Sequence, residues 1–294
     1  MSPIETFHYG PHELQKIHVS KVSENFGQTD KERYWIVYIH GGAWRDPTIL
    51  ASSFKSTERV LRNNPLVQNH VAAFASIDYR LSPHPDFPQD SKHTPDTQLR
   101  VAEHPDHLHD VQAALKFLQD NYSIGENYVL VGHSCGATLA FQTVMGRVSG
   151  ANPSTAPKPK AIVGACGIYD LRLLRDDFKQ YGSVNEFITR AFGAEEDVWD
   201  EVSPGKVGRS DGVASGWSTG QVAVVASSTG DSLINLPQGL VMGKVLKNWE
   251  SLADGRTLVL HQDLQEEHDD VWSKGQELAS VIIDALQNLV ERHA

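Results

Sequence analysis

The sequence is poor in cysteine, in long apolar runs and in positive charge, and each shortage excludes a class of protein. Two cysteines in 294 residues are too few for a disulfide framework, so both thiols are expected to be reduced. No apolar run approaches the roughly 20 residues that a membrane-spanning helix needs. Because 26 basic residues face 37 acidic ones, the net charge of -11 argues against a nucleic-acid surface and against docking on an anionic membrane.

The remaining composition is that of an ordinary globular chain. A hydrophobic content of 40% in 294 residues is enough for one large core, so we expect a single domain over residues 1–294. The first residues, Met1–Glu5, show no basic segment followed by an apolar one, and no signal peptide is expected. Together these features predict a soluble, cytoplasmic enzyme or binding protein.

The strongest motif is a buried strand that runs into G-x-S-x-G and then into a helix. Tyr128–Val131 predicts the strand, and Gly132, Ser134 and Gly136 form the motif. This order is typical of the nucleophile elbow of α/β-hydrolases, where flanking glycines avoid clashes and the serine rises above the sheet edge. A glycine-rich turn with a capping serine would produce the same short pattern, so the motif needs support from elsewhere in the chain.

That support comes from a loop that follows the first strong strand, at residues 33–39. Residues 40–47 read H-G-G-A-W-R-D-P, and a glycine-rich loop at this place supplies oxyanion-hole amides in α/β-hydrolases. We expect the amides of the 41–43 segment, including Gly41, to serve this purpose together with the amide of Cys135. His40 is expected to brace the loop, whereas Trp44 could either wall the substrate pocket or pack the loop.

Strands and helices alternate along the chain, which predicts an α/β fold with a mostly parallel, doubly wound sheet and helices on both faces. Weak alternation near residues 17–22 adds an edge hairpin within the first 31 residues. Strands are expected at 33–39, 71–80, 128–131, 161–170, 221–227 and 256–261, and helices at 53–63, 107–122, 237–252 and near the C-terminus. Residues 171–216 are less regular, and we interpret them as a small helical cap inserted over the active site.

The predicted fold carries its catalytic residues in the order serine, acid, histidine. After Ser134, the loop behind the next-to-last strand offers Asp231, and the loop behind the last strand offers His268. Both loops lie at the carboxyl ends of strands, where open α/β sheets carry their sites. In this arrangement His268 takes and returns the serine proton, while Asp231 holds the imidazole in the right tautomer.

Other residues compete for these two places. Asp170 also follows a strand, but one strand too early, and it suits a helix cap; Asp263 lies too near the last strand. His261 ends the predicted last strand and is expected to be buried and structural. The histidines at 104, 107 and 109 have no evident companion ligands, so they indicate a polar helix start rather than a metal site.

With these elements in place, the chain resembles the kynurenine formamidases (arylformamidases) of the α/β-hydrolase superfamily, most closely the fungal type. The shared features are the H-G-G-x-W loop followed by D-P, D-Y-R-L-S-P at residues 78–83, G-H-S-x-G-A at the elbow, and H-x-D-V at residues 268–271. The resemblance spans about residues 34–292. It is moderately specific, because related carboxylesterases share the two glycine motifs.

The resemblance implies that the protein hydrolyses N-formyl-L-kynurenine to L-kynurenine and formate in tryptophan degradation, a route that also feeds NAD synthesis. It implies a triad of Ser134, Asp231 and His268, oxyanion amides at Gly42 and Ala43, no cofactor or metal, and a possible homodimer. Three alternatives stay open: a small-acyl carboxylesterase, a non-catalytic binding protein on the same fold, and a peptidase, although peptidases of this fold carry a large additional domain.

The chain departs from the family pattern in two ways. Cys135 replaces the usual apolar residue after the serine; only its amide is expected to matter, so no loss of function is foreseen. The long loop from His84 to His104 and the Gly/Ser-rich stretch from Gly205 to Gly220 look like insertions that could alter the pocket entrance.

Overall fold

In the computed structural model, residues 3–22 and 33–292 are described. Within these ranges eight strands form one sheet in the order β1-β2-β4-β3-β5-β6-β7-β8. The strands are β1 (Glu5–His8), β2 (Lys16–Lys21), β3 (Tyr34–Ile39), β4 (Val71–Ile77), β5 (Tyr128–His133), β6 (Ala161–Ala165), β7 (Val222–Ser228) and β8 (Thr257–Leu264).

The helices of the described ranges follow the strands in alternation. They are α1 (Lys55–Arg62), α2 (Pro65–His70), α3 (Asp106–Tyr122), α4 (Cys135–Gln142), α5 (Leu171–Asp177), α6 (Gly182–Phe192), α7 (Glu196–Val202), α8 (Val213–Gly216), α9 (Leu236–Ser251), α10 (Asp270–Ser273) and α11 (Gln276–Glu291), with 3₁₀ turns at Ala51–Phe54 and Arg209–Asp211. Among the described residues, none of these helices combines the length and apolar character needed to cross a membrane.

The sheet is parallel from β4 to β8, and the hairpin of β1 and β2 joins its edge in antiparallel fashion. The predicted doubly wound α/β fold is therefore confirmed, as is the edge hairpin. The remaining part of that predicted stretch, residues 23–31, lies outside the described residues.

Two apolar cores, one on each face, hold the sheet between its helices. Successive residues of β3 alternate between them, because side chains on a strand point to opposite faces: Val37 enters the core that contains α3, α4 and α9, and Ile36 enters the core that contains α1 and α11. All six residues of β3 are buried, as are those of β5. Central strands apolar on both faces are what a parallel sheet requires.

Some predicted element boundaries were wrong. The helix expected at 53–63 is a 3₁₀ turn followed by α1, and a separate helix α2 follows. Asn64 caps α2 by accepting the amide of Leu66, and Pro65 occupies its first turn, where its missing N–H costs nothing. The strand expected at 161–170 stops at Ala165, because Cys166 turns to a φ of 47°.

Candidate active site

The turn after β5 holds Ser134 in a strained conformation, with φ 55° and ψ -125°. Glycines on both sides make that turn possible. A Cβ at Gly132 would meet the Gly136 carbonyl oxygen at 2.3 Å, and a Cβ at Gly136 would meet the carbonyl oxygens of Ile39 and His40 at 2.3 and 2.6 Å. The Ser134 amide donates to the Ala165 carbonyl at 3.0 Å, which ties the turn to β6. Strain of this kind persists only where the surroundings impose it.

The loop after β3 contains three consecutive left-handed residues, Gly42 (φ 89°), Ala43 (φ 49°) and Trp44 (φ 59°). The amides of Arg45 and Asp46 both donate to the Gly42 carbonyl at 2.9 Å and close the turn. This loop lies directly against the elbow, since a Cβ at Gly41 would come within 3.1 Å of the Ser134 Cβ. The structure thus places the predicted oxyanion segment beside the predicted nucleophile.

The segment that follows β4 holds this loop from behind. The Tyr79 hydroxyl donates toward the carbonyl oxygens of His40 and Gly41, at 3.1 and 3.3 Å. The Ser82 amide donates to the Trp44 carbonyl at 2.9 Å. His40 stacks on Tyr79 with ring centroids 4.3 Å apart, and burial lowers the pKa of this imidazole. In the sequence, residues 78–83 are visible only as a family feature, because nothing local to that segment shows which loop it contacts.

Cys135 contributes its side chain as well as its amide. Its sulfur accepts the Trp44 amide at 3.3 Å and lies 3.6 Å from the Tyr79 hydroxyl. Burial raises the pKa of the thiol to about 11, although the Tyr79 hydroxyl and nearby amides act in the opposite direction. These contacts give the side chain a packing role, and the expectation that function needs only the amide of Cys135 stays a prediction. Trp44 is fully buried and packs edge-on against Phe192 of α6, at 4.9 Å.

Asp231 and His268 meet although they are 37 residues apart. The His268 Nδ1 and the Asp231 Oδ2 are 2.7 Å from each other, and the Asp231 side chain is fully buried. The other carboxylate oxygen accepts the amides of Leu233 and Ile234, both at 2.8 Å, which fixes the plane of the carboxylate. The two loops approach closely at Gly230, where a Cβ would meet the Gln265 carbonyl oxygen at 2.1 Å.

The acid–histidine pair lies next to the elbow. The His133 Nε2 is 3.1 Å from the His268 carbonyl oxygen, and the two rings are 4.6 Å apart. His133 directly precedes Ser134, so this contact brings the loop after β8 to the nucleophile. A hydroxyl, an imidazole and an oriented carboxylate in one buried region are the groups that nucleophilic acyl transfer needs.

The competing residues lie elsewhere. The Asp170 carboxylate caps α5 by accepting the Leu173 amide at 3.0 Å. His261 was expected to end the last strand and to be buried, and both expectations were wrong: β8 continues to Leu264, and the His261 ring is half-buried, with Nε2 3.0 Å from the Asp284 carboxylate. Asp263 is an exposed residue within β8.

A second thiol, which the sequence analysis gave no role, lies under the acid–histidine pair. Cys166 is buried and free, and burial together with the neighbouring Asp231 carboxylate raises the pKa of its thiol. Its sulfur, one ring nitrogen of His133 and one of His268 all lie within 4.8 Å of one another. No sequence signal connects these residues, since they lie at or beyond the ends of three different strands.

Comparisons with known proteins agree with this architecture. A family model of the alpha/beta hydrolase fold matches residues 36–244. A kynurenine formamidase-like hydrolase of Fusarium equiseti is 40% identical over 261 residues, which cover 87% of this chain and 85% of that protein. A kynurenine formamidase of Aspergillus versicolor is 35% identical over 258 residues, which cover 82% of this chain and 84% of that protein.

Among solved structures, a hyperthermophilic esterase from the archaeon Pyrobaculum calidifontis superposes with a TM-score of 0.66. The superposition covers 99% of this chain and 87% of the esterase, at 19% sequence identity. A likeness at this low identity is evidence of a shared fold alone.

Proposed function

The chain belongs to the kynurenine formamidases of the α/β-hydrolase superfamily, and from that premise we propose that it hydrolyses N-formyl-L-kynurenine to L-kynurenine and formate with Ser134 as the nucleophile. The observation that carries the proposal is the Asp231–His268 hydrogen bond of 2.7 Å beside a strained serine elbow. Identity to two relatives that bear the formamidase name supports the substrate.

In the first half-reaction the Ser134 hydroxyl attacks the formyl carbon while His268 takes its proton. The carbonyl oxygen becomes negatively charged and is stabilised by the amides of Gly42, Ala43 and Cys135. His268 then protonates the aniline nitrogen, the C–N bond breaks, and L-kynurenine leaves with the formyl group on the serine. Water repeats the sequence: His268 removes its proton, the oxygen attacks the formyl-enzyme, and formate leaves as the serine is protonated again.

The crowding around the nucleophile suits a very small acyl group. A formyl carbon carries only hydrogen, and the oxyanion loop lies so close to the elbow that even a methyl at Gly41 would come within 3.1 Å of Ser134. Because the fully buried Tyr79 and Cys135 side chains hold the loop, it cannot move aside at low cost. Bulky acyl groups should therefore react more slowly.

Residues 171–216 supply the wall of the site in this proposal, as a helical cap within a single domain. Three contacts support it: Phe187 and Phe192 of α6 each pack against Trp44, and Arg45 pairs with Glu186. The entrance would then lie between these helices and the loops after β7 and β8. Residues binding the amino-acid end of the substrate would come from these same elements.

The test is hydrolysis of N-formyl-L-kynurenine by the purified chain, followed by the absorbance of kynurenine. Ser134→Ala should abolish turnover, whereas Ser218→Ala, at an exposed serine outside the site, should leave it unchanged. Both variants should keep the wild-type unfolding temperature within a few degrees. Equal turnover by Ser134→Ala would overturn the nucleophile assignment.

A small-acyl carboxylesterase is the second candidate, because carboxylesterases share the glycine motifs of the oxyanion loop and the elbow. Comparing p-nitrophenyl acetate with longer esters, beside the formamide substrate, separates the two. If the chain cleaves short esters in a Ser134-dependent way but does not hydrolyse the formamide, the triad assignment stands and the formamidase activity is rejected. A fluorophosphonate probe that failed to label Ser134 would favour a binding protein without catalysis.

We further propose a role in tryptophan catabolism and NAD synthesis and a homodimeric state, as the resemblance implies, together with the cytoplasmic location that the composition predicts. Sedimentation equilibrium distinguishes a dimer from the 32.5 kDa single chain. Fractionation of cells that express the chain tests the location, and loss of growth without nicotinic acid after deletion tests the pathway.

A further inference from the structure

We propose that His133, Cys166 and His268 form a binding site for a thiophilic divalent cation of the zinc or cadmium class, and that occupancy of this site inhibits the hydrolase. The observation is the cluster itself, in which three ligand atoms lie within 4.8 Å of one another and all three residues are buried. The claim of inhibition rests on the proposed function, because the proposed mechanism uses His268 as the general base. The binding part stands on the cluster alone.

The fold brings the three ligands together from separate strands. His133 ends β5 and pairs with Ala165 at the end of β6. Cys166 is the residue that follows Ala165, so it lies beside His133 at the same edge of the sheet. The left-handed φ of Cys166 takes the chain out of the sheet at this point. His268 then approaches from the loop after β8 through the contact between its carbonyl and His133. The site therefore has a rigid floor on two neighbouring strands and one ligand on a loop.

The spacing is close to what a bound ion needs. With zinc–sulfur bonds of about 2.3 Å and zinc–nitrogen bonds of about 2.0 Å, tetrahedral ligands lie roughly 3.5 Å apart. Ligand atoms at most 4.8 Å apart would have to move inward by about 1 Å, which small side-chain rotations can supply. His268 keeps a 5% exposed fraction, which gives the cluster its contact with solvent.

The donor set selects for soft and borderline cations. Sulfur and imidazole nitrogen are preferred by Zn²⁺ and Cd²⁺, whereas Mg²⁺ and Ca²⁺ prefer oxygen. A neutral imidazole has one nitrogen lone pair that can bind such an ion, and each of the two histidines can supply one. On binding, the Cys166 thiol loses its proton to solvent and the thiolate joins the metal. The charges of thiolate and Asp231 carboxylate together balance the two charges of the ion.

Occupancy would remove the general base whichever His268 nitrogen binds. If the metal holds Nε2, no lone pair remains for the serine proton. If it holds Nδ1, the ring proton moves to Nε2 and the Asp231 hydrogen bond is lost. Either arrangement blocks the step in which His268 accepts a proton from Ser134.

The chain provides a matched control in its other free thiol. Cys135 is equally buried, but its sulfur faces the Trp44 amide and the Tyr79 hydroxyl. The group of metal-ligating side chains found in the described ranges contains Cys166 and leaves out Cys135. Removing each thiol in turn therefore separates a site at Cys166 from general thiol binding.

The experiment titrates the full chain with Cd²⁺ in buffer free of thiols and chelators, and follows the sulfur-to-cadmium charge-transfer absorption. We expect one equivalent to bind with this band in the wild type and in Cys135→Ala, and the band to disappear in Cys166→Ala. Zn²⁺ should compete with Cd²⁺ and inhibit N-formyl-L-kynurenine hydrolysis, and EDTA should reverse the inhibition. Each variant is compared with its own metal-free rate, and Cys166→Ala should weaken inhibition at least about tenfold.

Three outcomes would overturn the site. These are no charge-transfer band in the wild type at excess Cd²⁺, an unchanged band in Cys166→Ala, or equal inhibition of the wild type and Cys166→Ala by Zn²⁺. Cys166→Ser, which keeps the volume but offers no thiolate, serves if the alanine variant does not fold by circular dichroism. A chain that binds Cd²⁺ with the expected band but does not hydrolyse the substrate would retain the site and reject the proposed function.

Discussion

The site has two arms that differ in how they are held. The oxyanion arm, residues 40–46, lies on buried groups: the Tyr79 hydroxyl, the Ser82 amide and the Cys135 sulfur. The acid–base arm consists of the loops at residues 229–235 and 265–269 and is largely at the surface. There Ser232 and the His268 amide both donate to the exposed Glu267 carboxylate.

The difference follows from what each arm must supply. Oxyanion amides act through their position. Buried hydrogen bonds are costly to break, so the buried groups behind this arm keep that position fixed. The acid–base arm acts through two titratable groups, whose mutual hydrogen bond sets their geometry locally. Substitutions in the oxyanion arm should therefore lower activity by moving the amides out of position. Substitutions in the acid–base arm should lower it by removing a group that holds or transfers a proton.

The largest effect is expected from Asp231→Asn. An amide cannot hold the imidazole in the required tautomer, so kcat should fall by about 10,000-fold while the fold is retained. Steady-state kinetics with N-formyl-L-kynurenine measure this. Asp170→Asn is the control, because asparagine also caps a helix and α5 should keep its cap. A dead Asp170→Asn beside an active Asp231→Asn would reverse the assignment of the acid.

The next largest effect is expected from Gly136→Ala, which attacks the oxyanion arm through sterics. The added methyl would meet backbone oxygens of Ile39 and His40 at 2.3 and 2.6 Å, so the elbow must separate from the loop. Loss of oxyanion contacts should lower kcat by at least about 100-fold. Gly182→Ala, where a Cβ meets nothing within 4 Å, should have wild-type kinetics. Wild-type turnover in Gly136→Ala would mean that this close approach is not needed.

Tyr79→Phe tests whether the buried brace positions the arm or only stabilises the protein. It leaves the carbonyls of His40 and Gly41 without this donor, so the free energy of unfolding should fall by about 1–3 kcal/mol. The matched control is Tyr128→Phe, whose buried side chain donates to the Pro157 carbonyl away from the site. Urea unfolding should show similar losses, but only Tyr79→Phe should lower kcat, with KM nearly unchanged. Equal kcat in both variants would assign Tyr79 a structural role alone.

Acid should lower the free energy of unfolding through a buried histidine, His107, that packs behind the oxyanion arm. Burial lowers the pKa of His107, whose Nε2 is 3.1 Å from the Ser82 hydroxyl, to about 3. Between that value and about 6.5 the unfolded chain binds a proton that the folded chain does not, so this stability is full above pH 6.5 and falls as pH falls.

His107→Gln should therefore reduce the slope of unfolding free energy against pH by up to about 1.4 kcal/mol per unit between pH 4.5 and 6. Urea unfolding at several pH values measures it, with His93→Gln at an exposed site as the control. Parallel slopes for wild type and His107→Gln would contradict the interpretation.

The two arms also differ in how far the sequence predicted them. The oxyanion loop and the elbow were identified from residues adjacent in the chain, because their glycines mark backbone conformations that other residues avoid. The pairing of Asp231 with His268 was predicted from the order of elements, and the structure places these residues in contact. Helix α2 and the end of β8 were missed, since Asn64 capping and the pairing of Ser228 with Leu264 are not visible in an apolar pattern.

By itself, the sequence determined the alternation of strands and helices, the glycine-dependent turn at Ser134 and the loop at residues 40–47. Each depends on interactions within a few residues, and these are encoded locally by apolar periodicity and by glycine. Only the tertiary structure decided that Tyr79 and the Cys135 sulfur hold the oxyanion loop, and that the Cys166 sulfur lies close to His133 and His268. Those contacts join residues 33 to 135 positions apart, so they depend on strand order and register, which no short stretch of chain records.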